Sequence, residues 1–225
     1  MTTVGFLHTS PVHVPTFHAL LAEASPGAAD VHVVDESLLA DIRDRSYDTS
    51  FETRLEARLD EVAAHAPDAI VCTCSTFSGH AERLGARRGI AVVRIDRPMA
   101  ERAVMHGGRV AVVAAVASTM GPTRELFEDC AARNGSGAVV VDAPCLEAWP
   151  LFQAGDLTGF YERIALHVRG LAADFGVVVL AQASMAPAAA LLDDLATPVL
   201  SSPRLAVRRA LEIAGDAPAH AGLVG

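Results

Sequence analysis

Ala69-Ile70-Val71-Cys72-Thr73-Cys74-Ser75-Thr76 passes from an unbroken apolar run into a cluster of small polar side chains. Consecutive apolar residues are what a strand covered on both faces requires. Ser and Thr placed directly after such a strand are the residue types that open helices. The stretch therefore reads as an inner strand of a parallel sheet running into a strand-to-helix turn. Working outward, similar short β-branched runs predict strands over 4–7, 31–34, 91–95, 110–114, 138–141, 177–181 and 199–200, with the quoted strand at 69–73. Between them lie amphipathic stretches. Leu55, Leu59 and Val62 recur at three-to-four spacing in 51–64, and 122–134 and 157–175 behave alike. Asn134-Gly135 and Gly176 supply helix stops. Regular alternation of strand and helix predicts an α/β fold with a parallel sheet and helices on both faces.

The chain also reads as doubled. Val4-Gly5-Phe6-Leu7 leads through Ser10-Pro11 to a helix, and Val110-Ala111-Val112-Val113 leads through Ser118-Thr119 to another; the offset is 110 − 4 = 106. Matching Cys74 after the third strand to Gln182 after the seventh gives 182 − 74 = 108. Two nearly equal offsets predict two similar lobes.

Composition narrows the function. The chain has 225 residues, half of them apolar, and a formal net charge of −9. That balance opposes a nucleic-acid backbone or an anionic membrane as partner. It permits a small anionic substrate, since local dipoles overrule net charge. The longest apolar runs, such as Val177-Val178-Val179-Leu180-Ala181, are far below the ~20 residues that span a bilayer. Met1-Thr2-Thr3 lacks the basic region of a secretory leader. A cytoplasmic protein with reduced thiols is expected. Its four cysteines are Cys72, Cys74, Cys130 and Cys145, with no second Cys or His pair at zinc-site spacing, so no metal site is expected. No GxGxxG follows a strand, and neither a phosphate-binding GxxxxGK[ST] nor a G-x-S-x-G elbow is present. The chemistry is expected to come from side chains without a cofactor. The stretch 216–222 shows no pattern and is expected to be mobile.

In open parallel sheets ligands sit beyond the carboxyl ends of the strands. The residues there are His8, Thr9 and Ser10; Cys74, Ser75 and Thr76; Ser118 and Thr119; Gln182, Ala183 and Ser184. Hydroxyls and helix N-terminal N–H groups in such turns hold carboxylates. The same hydroxyls are also what ordinary N-caps look like, and capping is the more frequent role. Cys74 is the sharper signal. A thiol at a helix N-terminus is a proton carrier for carbon next to a carboxylate, with neighbouring donors stabilising an enediolate. Cys72 points to the same face but deeper in the sheet, as a packing residue would. Cys130 falls late in a helix and is read as packing, while Cys145, in the loop after the 138–141 strand, is a candidate to approach the site.

Val71-Cys72-Thr73-Cys74-Ser75-Thr76 resembles the strand-end Cys-(Asn/Ser)-Thr motif of the aspartate/glutamate/hydantoin racemase superfamily. Leu180-Ala181-Gln182-Ala183-Ser184-Met185-Ala186 is similar to its second strand-end motif, which in hydantoin racemases reads Gly-Cys-Ala-Gly-Met. Ala117-Ser118-Thr119, Pro150-Leu151-Phe152-Gln153-Ala154-Gly155 and Ser201-Ser202-Pro203-Arg204 look familial as well, and the likeness runs over about 4–214. It implies two pseudo-symmetric parallel-sheet α/β/α lobes with the active site in the cleft between them. The lobes would be 1–105 plus 203–225, with a returning C-terminal helix, and 106–202. It also implies cofactor-independent racemisation, with one cysteine of each lobe flanking a small carboxylate-bearing substrate. Cys74 would be the first of these, and Thr9, Ser10, Ser75, Thr76, Ser118, Thr119 and Ser184 would bind substrate. A homo-oligomer is admitted.

The departures are specific. Gln182 stands where the second cysteine belongs, His8 where some glutamate racemases carry an acid, and Gln153 where they carry Glu. An amide exchanges no proton at neutral pH. The leading expectation is a racemase acting on an amino acid or 2-substituted acid, with His8 or Cys145 supplying the second proton. The alternatives are a one-thiol decarboxylase or isomerase of the same family, and a carboxylate-binding protein without catalysis.

Overall fold

The computed structural model describes residues 1–44 and 47–215. The 216–222 stretch, and the end of the returning 203–225 segment, lie outside the described residues. Over the described residues the chain divides into two compact units, Met1–Ile95 with 203–215, and Asp96–Ser202.

In the first unit, β1 (Thr3–His8), β2 (Ala29–Val34), β3 (Ala69–Cys72) and β4 (Val92–Arg94) form a parallel sheet in the order β2-β1-β3-β4. The helices of this part of the chain are α1 (His13–Ala24), α2 (Glu36–Asp44), α3 (Thr49–Ala63) and α4 (Ser78–Arg88). Asp48 caps α3 by accepting from the Phe51 N–H. The three-to-four stripe Leu55, Leu59 and Val62 is fully buried in one core with Leu7, Ile70 and Cys72. Each such aliphatic side chain contributes roughly 1.5–3 kcal/mol by leaving water. Gly5 allows α3 to come close to β1, for a Cβ there would collide with the Val62 side chain.

In the second unit, β5 (Arg109–Val113), β6 (Val139–Asp142), β7 (Val177–Leu180) and β8 (Val199–Ser201) repeat the arrangement as β6-β5-β7-β8, again parallel. Val4 pairs with Ala69 in the first sheet and Val110 with Val177 in the second, so residues related by the sequence offsets occupy equivalent places. All eight expected strands are present, with ends shifted by a residue or two. α5 (Arg97–Met105) packs on α6 (Ala117–Arg133), and its buried residues include Met99 and Val104. The unit boundary therefore falls before α5, where the sequence reading drew it after residue 105. α7 (Trp149–Gln153) and α8 (Leu157–Leu171) follow, and Phe160, Ile164 and Val168 of α8 cover Ala111, Val113, Val178 and Leu180. The last helix is α9 (Ser202–Ile213).

One helix begins earlier than expected. The amphipathic pattern spans 122–134, yet α6 opens at Ala117 and carries Pro122 inside. Its buried stripe, Thr119, Thr123, Leu126, Phe127 and Cys130, keeps helical spacing from the first turn, and that packing outweighs the missing proline N–H. No helix among the described residues is long and apolar enough to cross a membrane.

Candidate active site

β1 and β3 are hydrogen-bonded neighbours, so the turns that follow them lie side by side. The Thr73 N–H continues the ladder onto the Leu7 carbonyl at 3.0 Å. The chain then leaves the sheet, and the N–H groups of Phe77 and Ser78 fold back onto the Cys74 carbonyl. This places the Cys74 sulfur at the entry to α4, 7% exposed. Burial pushes its thiol above the ordinary range. Against that, the Thr76 N–H, the Thr9 hydroxyl, the Phe77 N–H and the Thr76 hydroxyl act on the thiol in the direction that favours thiolate. The net direction is upward. A thiol that rests protonated, ringed by donors that stabilise its anion, is arranged to give up a proton.

Those hydroxyls do not cap helices. The N-cap residues of α1, α4 and α6 are Val12, Phe77 and Val116, none with a side-chain capping bond. The expectation that the Ser and Thr residues serve as N-caps is thus corrected: the chain enters each helix one to three residues later, or earlier, than they stand. Thr9 and Thr76 instead favour the anion of the Cys74 thiol. Ser75 is buried and Ser10 partly so in the same two turns, and among the described residues neither bonds the sulfur. Cys72 is sealed in the core beneath.

His8 is committed elsewhere. Its Nδ1 lies 2.9 Å from the Thr73 hydroxyl and its Nε2 lies 2.8 Å from His32 Nδ1. His32 Nε2 donates to Asp30, 2.9 Å away, and His18 Nδ1 reaches the same carboxylate oxygen at 2.6 Å. Burial, then the nearby His32 and His13, hold His8 down at about 3. It is a neutral ring with both nitrogens bonded, a staple between β1 and β2 that also ties the Thr73 hydroxyl to the tip of β1.

Three further residues gather here without having drawn attention in the sequence. His13 opens α1; burial lowers it to about 4, and among the described residues its ring makes no hydrogen bond. The Tyr47 hydroxyl donates to the Thr76 carbonyl. Arg94, at the end of β4, is 7% exposed and covers the first turn of α4, where a Cβ on Gly79 would sit 2.6 Å from its Nη1. The readable signals were a second His five residues after His8 and a cation closing an apolar strand.

The second unit handles its matching strand end differently. Gln182 follows β7, and its Oε1 accepts from the N–H groups of Ala115 and Val116 at 2.6 and 3.0 Å. With the oxygen so committed, the carboxamide presents N–H donors at its other end. Ser118 stands in the first turn of α6, its buried Oγ without a partner among the described residues; Thr119 is buried beside it and Ser184 partly buried after Gln182. Cys145 is fully buried in this unit's core and Cys130 lies in α6. Gln153 is exposed at the end of α7.

A search of curated protein sequences finds no match. Among solved structures, the aspartate racemase of Picrophilus torridus superposes with a TM-score of 0.74 at 13% identity, over 96% of this chain and 95% of its own. The allantoin racemase of Klebsiella pneumoniae gives 0.60 at 21% identity, over 100% and 97%. A cysteine variant of arylmalonate decarboxylase in a sulfate-associated form gives 0.61 at 14% identity, over 95% and 93%. These likenesses establish the fold. The family model described as Asp/Glu/hydantoin racemase matches residues 10–210, and the chain belongs to that family.

Proposed function

We propose that this chain catalyses proton transfer at a carbon next to a carboxylate or related carbonyl, with Cys74 as its sole catalytic thiol and the thiol entering the reaction as an acid. The observation that carries this reading is the place of one buried sulfur at the turn from β3 into α4, where two hydroxyls and two backbone N–H groups favour its anion. As the S–H bond transfers its proton to a carbanionic carbon, the electron pair left on sulfur meets donors already in place, which removes the reorganisation that water would need. Aspartate, allantoin and arylmalonate, on which the structural neighbours act, share a carbon acid beside a carbonyl, and that is the substrate class proposed here. Gln182 supports a one-thiol course: its oxygen is held by two amides, so it offers donors and no exchangeable acid. In such a course a carbon–carbon bond breaks with loss of carbon dioxide to leave the enediolate, Cys74 protonates the carbon, and solvent returns a proton to the thiolate.

A second reading, two-base racemisation, is favoured by His13. A neutral imidazole in the turn region that also carries Thr9 would supply the second proton carrier that Gln182 does not. Incubation in deuterium oxide with a panel of 2-substituted acids and 2-substituted malonates separates the readings. Carbon dioxide release with one α-deuterium in the product supports the one-thiol acid, whereas α-deuterium with retention and no carbon dioxide shows Cys74 acting as a base and overturns the acid role. α-Deuterium with inversion, lost in His13→Gln, supports the two-base racemase. Saturable binding of these acids without exchange or release overturns catalysis altogether.

A further inference from the structure

The second unit holds a cluster that the proposed chemistry leaves unused. Cys145, Glu147 and His167 each bring one ligand atom, sulfur, carboxylate oxygen and ring nitrogen, and the three atoms lie within 4.8 Å of one another. They come from different elements: Cys145 closes the loop after β6, Glu147 stands in the 3₁₀ turn Leu146–Ala148, and His167 faces them from α8. The Cys145 S–H donates to Glu147 Oε1 at 3.6 Å. The His167 ring is oriented by its Nε2, which donates to the Ala143 carbonyl at 3.1 Å.

We propose that Cys145, Glu147 and His167 form a binding site for a divalent transition-metal ion of the zinc class. The S/N/O set suits a borderline-soft ion and not calcium or magnesium, which take oxygen alone. Three protein ligands leave a fourth tetrahedral position for water. The Cys145 S–H that points at Glu147 marks where a cation would sit: a metal releases that proton to solvent and takes the thiolate and the carboxylate together. The Ala143 carbonyl behind His167 is the kind of outer partner that orients metal-bound imidazoles. Neither the Cys72-x-Cys74 pair nor any local zinc spacing takes part, which is why the sequence shows no sign of it. The burial of Cys145 favours a slowly exchanging ion.

The test is independent of any substrate. Full-length protein, stripped with chelator under reducing conditions, is titrated with cobalt(II) and followed by thiolate-to-cobalt charge-transfer absorption, with zinc competition giving its affinity. One equivalent of cobalt is expected to raise the band, and Cys145→Ser to abolish it. Glu147→Gln and His167→Gln are expected to weaken binding by more than about tenfold. Glu147 is exposed, so its variant keeps the fold, and circular dichroism verifies the others. Cys74→Ala is expected to retain the band. No charge-transfer band in the wild type, or a band that survives Cys145→Ser and is lost in Cys74→Ala, overturns the site.

Discussion

The Thr9 hydroxyl, one residue past β1, acts on the thiol of Cys74, two residues past β3, in the direction that favours its anion. Two turns far apart in sequence thus bear on one thiol. Thr9→Val keeps the side-chain shape and removes the donor. Loss of one donor aimed at developing charge lowers kcat by on the order of 10²-fold. Thr9→Ser should recover most of the loss, with little change in melting temperature for either. Cys74→Ala should abolish turnover and Cys72→Ala should leave most of it. Equal losses at Cys72 and Cys74 would remove the assignment of the thiol.

Thiol acidity can be read without a substrate. Burial holds Cys74 above the ordinary cysteine value of about 8.5. Alkylation by iodoacetamide, which needs thiolate, should therefore be slower at neutral pH than for a free thiol. Its rate should rise with a midpoint on the alkaline side of that value, as mapped at Cys74 by mass spectrometry. The sign for turnover is opposite. If S–H is the acid, activity is present below the raised value and falls as pH climbs through it. Fast alkylation at neutral pH would show a resting thiolate and favour the base role.

Much of this was legible in the chain. Val177-Val178-Val179-Leu180 and Ala69-Ile70-Val71 announce buried strands because β-branched runs leave little else to form, and the 106–108 offsets foretold the repeated strand order. The unit boundary was not legible, because α5 is amphipathic in a way that suits either neighbour, and only its packing on α6 decides. Nor was the fate of the hydroxyls. Thr9 looks the same in sequence whether it caps a helix or favours a thiol's anion, and the difference lies in where the backbone turns. His8 reads as a candidate acid and is a staple, since its partners His32 and Thr73 come from other strands.

The staple has a pH signature. His8 is held at about 3, far below an unfolded histidine near 6.5, and it faces His32, His13 and Thr73, with Asp30 beyond His32. Its neutral ring contributes stability that is fully present above about pH 6.5. That contribution is lost as pH falls towards 3, because the unfolded chain binds the proton first. His13, held at about 4, acts in the same direction. Urea unfolding across pH 3–8 should show stability falling on the acid side. His8→Gln should be less stable at neutral pH yet lose less on acidification. An unchanged acid slope in that variant would place the effect in other groups.

Gln182 offers the last test, and it needs neither substrate nor metal. Its oxygen is the acceptor for two buried N–H groups, those of Ala115 and Val116, at the turn from β5 into α6. Gln182→Ala strands both donors and opens a small cavity, so a loss of about 1–3 kcal/mol is expected on denaturant unfolding. Gln182→Glu keeps the acceptor and adds charge to it, and the same two N–H groups should hold its carboxyl below the usual carboxylate range. Its stability at neutral pH should match or exceed that of the parent, and the gain should fade as acid protonates the carboxylate. The pair separates two roles that a single substitution confuses. If Ala and Glu variants lose stability equally, the oxygen is not what the turn requires, and Gln182 is there for the donors it presents at its other end.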